Sequence, residues 1–90
     1  MRLSFVGITP DTPDSQCPAV DVDEDTGELW FQGPAVIDQE ALAEVARHSP
    51  IGATESVVRL PAVMGPIIME AVSGTYERGR RGPGPHPRSG

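Results

Sequence analysis

Asp21, Asp23 and Asp25 stand two residues apart in the stretch DVDEDTGELW, residues 21 to 30. Carboxylates at that spacing, with a glycine close behind, are the oxygen donors of a calcium loop. Such a loop draws ligands from positions 1, 3, 5, 7, 9 and 12, needs Gly at 6 and ends on a bidentate Glu at 12. Counted from Asp21, the sixth position is Thr26, and glycine arrives one late, at Gly27. The twelfth is Gln32, which carries no charge. Glu28, Leu29, Trp30 and Phe31 suit a strand, and no helix-forming segment precedes the loop. The calcium reading fails on each count, and no metal or cofactor is expected.

Cys17 and His48 are the remaining candidates for chemistry. A catalytic thiol needs a base or a positive neighbour to ionise it. Cys17, the one cysteine, precedes Pro18 in a loop rich in proline, with no histidine near it in sequence. His48 falls where a helix should end, and there it suits the dipole. No catalytic residue is expected, and the chain is read as not an enzyme. Its size points the same way, since a domain of about 70 residues buries only about 60% of its unfolded surface.

The acids find a better explanation in a β-hairpin. With Glu24-Asp25-Thr26-Gly27 as the loop, Gly27 supplies the positive φ that such turns need. Asp23 then faces Glu28, Val22 faces Leu29, Asp21 faces Trp30 and Val20 faces Phe31. Val20, Val22, Leu29 and Phe31 share one side of the ribbon. A slip of one residue would mix polar and apolar on both faces, so the apolar match selects the register. On this reading the acids form a solvated hairpin end. Trp30 is left on the opposite face beside Asp21. Either a further element covers it as core, or it is an exposed anchor, since Trp is enriched at binding hot spots. Trp30, Asp21 and Asp23 are therefore the candidate partner-binding residues.

Elements on either side must hold this ribbon. Residues 2 to 8, RLSFVGI, read as a strand: Leu3 and Phe5 alternate with polar neighbours, then Val6 and Ile8 take the other parity. TPDTPDSQCP reads as a loop. Asp38 is a good N-cap for a helix over 38 to 48, with Ile37 able to staple onto Leu42, Ala41, Leu42, Val45 and Ala46 at helical spacing, and Pro50 as the stop. ESVVRLP, 55 to 61, reads as a short strand. Pro66 is tolerated in a first turn, so a second helix is expected from about Met64 to Ser73, with its methionines as core filler. The expected architecture is α+β: an antiparallel-leaning sheet of N-terminal strand, hairpin and one later strand, with two helices on one face. The domain spans 1 to 73. Residues 74 to 90, dominated by Gly, Pro and Arg, read as a disordered tail.

Charge is unevenly spread. The net charge is −6, and there is no lysine. Residues 1 to 76 carry three arginines against twelve carboxylates, a net −9, while the rest carries four arginines against Glu77. An acidic body repels phosphates, so direct nucleic-acid binding is not expected. One cysteine permits no internal disulfide, and no segment approaches a membrane span. The chain is read as cytoplasmic, with no membrane partner.

Cys17-Pro18, the turn at Asp25 to Gly27, Gln32-Gly33, DQEALA at 38 to 43 and ESVVRLPA at 55 to 62 carry a resemblance. From Cys17 to about Val72 the chain resembles a group of small actinobacterial proteins often encoded near helix-turn-helix regulators. The resemblance implies no activity that can be carried to these residues. It implies a companion or modulator of such a regulator. DEDTGELW is also similar to the hairpin of small domains that bind precursor peptides in ribosomal peptide biosynthesis, although a strand at 55 to 60 stands where those domains place helices. The function expected is a non-catalytic protein-interaction module whose partner is another protein, such as a helix-turn-helix regulator. The alternatives are a self-associating structural protein and a precursor-peptide-binding domain.

Overall fold

The computed structural model describes residues 1–9 and 18–80. Cys17, most of the proline-rich loop and the last ten residues of the expected tail lie outside the described residues. The described elements are β1 (Leu3–Ile8), β2 (Ala19–Asp23), β3 (Leu29–Gln32), α1 (Gln39–Ala46), a 3-10 turn (Ala62–Met64) and α2 (Gly65–Ser73). The three strands form an antiparallel sheet in the order β1-β2-β3, and with two helices the class is α+β.

The hairpin has the register that the apolar pattern demands: Val22 pairs with Leu29, Asp21 with Trp30 and Val20 with Phe31. The parity change within β1 is a bulge. Phe5 pairs with Asp21 but Gly7 with Val20, so Val6 is the extra residue. A bulge of this kind sets two neighbouring residues against one partner, leaves the extra one unpaired and interrupts the ladder only locally. Val6 joins Val20, Val22, Met64 and Ala71 in the buried cluster, with Leu60, Ile67, Ile68 and Tyr76 packed around it.

α2 covers that cluster. Its N-terminus is as the proline requires, with Pro66 in the first turn. It ends at Gly74, whose φ of 76° is the left-handed cap that favours glycine. α1 is capped by Asp38, which accepts from the Glu40 N–H at 3.0 Å. The two helices do not share the work of covering the sheet, however. α2 packs on β1 and β2, whereas α1 buries none of its residues. Its apolar stripe includes two alanines, Ala41 and Ala46, and offers little area to hold it against a sheet. The staple is also absent: Ile37 is 82% exposed. Met64 is fully buried as core filler, but Met69 is exposed.

Residues 55 to 61 do not join the sheet. Val58 bridges to Ala35, and flanking bonds run from the Val36 N–H to Val57 O (2.8 Å) and from the Arg59 N–H to Pro34 O (3.0 Å). Pro34 and Pro61 bracket this ribbon and donate nothing, which keeps it short. Leu60 folds over Gly33 so closely that its Cδ2 would lie 2.6 Å from a Cβ there. The chain thus leaves β3 at Gly33-Pro34 instead of returning beside it.

The expected tail is corrected in its first half. Residues 74 to 80 run back to the hairpin turn and the outer edge of β1, where the Phe5 N–H donates to Arg80 O at 2.7 Å. Among the described residues no helix is long and apolar enough to cross a membrane.

Candidate protein-interaction surface

The hairpin turn is built as its glycine implies. Gly27 has φ 81°, its N–H donates to Asp23 O at 2.7 Å, and the Asp23 N–H donates to Glu28 O at 2.9 Å. The acids at this end are not simply solvated. Asp23 is 4% exposed, and its Oδ1 accepts from the Asp25 N–H at 2.9 Å and the Arg2 N–H at 3.4 Å. This carboxylate organises the turn and cannot meet a partner, which corrects its place among the candidate binding residues.

Asp25 is held by the Arg2 Nε at 2.7 Å and the N-terminal amine at 3.0 Å. The Arg2 hydrogen bond, with the terminal amine second, keeps its carboxyl below the usual range. Glu24 receives the Tyr76 hydroxyl at 2.8 Å on Oε2 and Arg78 Nη1 at 2.7 Å on Oε1. Its carboxyl too is depressed, first by the Ser4 hydroxyl and then by Tyr76 and Arg78. Among the described residues no three His, Cys, Asp or Glu side chains converge on a point where a metal could sit.

Asp21 differs from its neighbours. It pairs with Phe5 on one side and Trp30 on the other, so the three side chains form a row across the sheet on the face away from α2. Among the described residues its carboxylate has no hydrogen-bond or ion-pair partner. Burial between the strands pushes its pKa up.

Among the described residues, β3 is the strand with an open edge. The Asp23–Glu28 backbone bond marks that pair as a bonded one. Alternation along an antiparallel ladder then turns the N–H and C=O of Leu29 and Phe31 to the free edge. Leu29, Trp30 and Phe31 are 42%, 43% and 41% exposed. The apolar side predicted for the ribbon exists, but α2 covers only its β2 half. Trp30, on the other face, is neither core nor fully free. Trp30 and Asp21 are therefore brought together, and Asp23 is not part of their patch.

His48 is exposed just beyond α1, and among the described residues its side chain has no hydrogen-bond partner. An apolar groove of about 260 Å³ lies between α1 and the short ribbon, lined by residues that include Ile37, Val45 and Val57. Ser4, Tyr76 and Arg78 are the structured residues that composition alone passes over. Gly79, with φ 78°, is the one local signal, since it marks the turn that brings Arg78 and Arg80 back to the sheet.

No protein-family model, curated protein or solved structure matches the chain.

Proposed function

We propose that the chain is a non-catalytic protein-interaction module whose partner docks along β3. The observation that carries this reading is a strand edge that is unpaired among the described residues and bears large apolar side chains on both faces. Leu29 and Phe31 face the α2 side, Trp30 faces the other, and each is more than a third exposed. A strand added there would gain main-chain bonds from Leu29 and Phe31 and side-chain specificity from both faces. Asp21, a carboxylate beside Trp30 with no partner among the described residues, favours a cationic side chain from the partner at that point.

The finer reading is a companion or modulator of a transcription regulator. It is supported by the resemblance to proteins encoded beside such regulators and by the acidic charge of residues 1 to 76, which suits a basic partner surface.

Capture from the native host with two baits tests the reading. Phe31→Lys puts a charge on the edge while leaving the buried cluster intact. A stoichiometric partner held by the unmodified chain and lost by the variant is the expected result. The same proteins retained on both baits would overturn docking at β3. An unmodified bait that recovers only itself, and sediments as a dimer, would move the reading to self-association.

A further inference from the structure

The opposite edge of the sheet is occupied by the chain itself. Beyond Gly74, the chain places Tyr76, Arg78 and Arg80 at alternate positions, and all three are used. The Tyr76 hydroxyl and the Arg78 guanidinium take the two oxygens of Glu24. Arg78 stacks over the Tyr76 ring at 5.3 Å, and Arg80 over the Phe5 ring at 5.0 Å. The Gly79 N–H donates to Ser4 Oγ at 2.7 Å, and Arg80 O accepts from the Phe5 N–H.

The receiving surface belongs to the rest of the fold. It consists of a carboxylate only 14% exposed, a buried hydroxyl, an outward N–H on β1 and an aromatic ring. A cleft of about 760 Å³ runs beside it, lined by Met1, Arg2, Leu3, Ser4, Glu24, Arg78 and Gly79. In the occupant, Tyr76 also packs against the buried cluster, while the residues after it are held at the surface. The Arg78 side chain is exposed, and among the described residues one backbone–backbone bond ties the segment to β1.

We propose that the β1 edge with Glu24 is a second docking site, for a short arginine-bearing turn of a partner protein, and that residues 76–80, which turn at Gly79 with the Arg80 N–H donating to Glu77 O at 3.3 Å, are its resident occupant. The groups on this edge define the ligand: a guanidinium or phenol for each oxygen of Glu24, a cation for the Phe5 ring, and a backbone C=O for the Phe5 N–H. Charge supports an incoming basic segment, since residues 1 to 76 carry −9 from three arginines and twelve carboxylates. The tethered segment competes at an effective concentration of about millimolar, so the site is closed to weak ligands.

A fluorescein-labelled peptide with the sequence of residues 75–80 is the probe, titrated at low salt into full-length protein. The double variant Tyr76→Phe, Arg78→Ala weakens the occupant and leaves the receiving surface whole. It should bind the peptide about tenfold more tightly than the unmodified chain, as expected if the resident segment fills nine tenths of the sites. Adding Glu24→Gln should remove that gain, and Phe31→Lys should leave it unchanged, because β3 is the other edge. Equal affinity in the double variant and the unmodified chain overturns the proposal. So does a gain that survives Glu24→Gln or disappears with Phe31→Lys. Should the double variant not fold, the unmodified chain answers instead: millimolar peptide must shift the Ser4 and Phe5 amide resonances, and unmoved resonances overturn the proposal.

Discussion

Ile67 fills the space that a side chain on Gly7 would need. Its Cγ2 lies 2.8 Å from the position of a Cβ there, and two more of its carbons lie 3.1 Å away. The bulge at Val6 brings Gly7 opposite Val20, directly under α2. Gly7→Ala should therefore overpack the junction of helix and sheet and cost about 1–3 kcal/mol. Urea unfolding followed by far-UV circular dichroism reads this as a lowered midpoint. An unchanged midpoint would mean that α2 does not sit this close to β1.

Met64 tests the same core from the other direction. It is fully buried in the cluster with Val6, Val20, Val22 and Ala71, and the Thr9 hydroxyl lies 2.9 Å from its sulfur. Met64→Ala should cost about 2–5 kcal/mol, a large share of the stability of so small a domain. Met69→Ala, at an exposed position of α2, should leave the unfolding midpoint within error.

α1 should come apart alone. It buries none of its residues, and its N-terminus rests on the Asp38 cap. Asp38→Ala removes a cap worth about 0.5–2 kcal/mol, a large loss for an eight-residue helix that is at most half-buried. Hydrogen exchange should show faster exchange at the α1 amides, while Val20 and Val22 stay protected. Equal acceleration in both regions would show that α1 is part of the cooperative core.

Acid should act on the two ends of the hairpin with opposite signs. Glu24 and Asp25 have depressed values in the folded chain, held down chiefly by Ser4 and by Arg2 respectively. The unfolded chain therefore takes up protons first as pH falls, and the stability these groups contribute is lost as pH drops through their folded values. Asp21 is shifted upward by burial, so its ionisation is unfavourable in the fold, and protonation on mild acidification stabilises. Urea midpoints should rise as pH falls through the raised Asp21 value and fall at lower pH. Asp21→Asn should remove the rise and leave the fall.

Trp30 reports on the β3 edge without any label. It is the only tryptophan in the chain and is 43% exposed. Acrylamide should quench it readily in the free protein, and a partner on β3 should shield it. A tryptophan as protected as one in a core would place another element over the strand.

The parts of this fold that can be read from residues are those where a local rule is sufficient. Period-two alternation on both arms, with Gly27 between, leaves one register for the hairpin. Asp38 and Pro66 mark the starts of the helices because caps and first turns obey short-range rules. The parity change between Phe5 and Val6 is visible as well, and the structure gives it meaning as a bulge. What escaped depends on distant partners. Composition describes residues 74 to 80 as a solvated tail, yet Tyr76 and Arg78 meet Glu24 more than fifty positions away. Asp23 has the same type and spacing as Asp21 and Asp25. Only the arrival of the Arg2 and Asp25 N–H groups makes it a buried turn organiser. ESVVRLP has strand composition, and its pairing with 34 to 36 instead of the sheet follows from the way Gly33 admits Leu60.

β1 has β2 on one side and residues 79 and 80 on the other, so the first strand of the chain is completed by the last residues described. A protein made from its N-terminus onward must therefore carry β1 half-finished until nearly all of the domain has been synthesised. A nascent, stalled or proteolytically clipped chain that lacks Arg80 loses the backbone bond on the outer edge of β1 and bares that edge. Aggregation during production should be worst for those species, and the few residues after α2 serve as a closing stitch for the whole sheet.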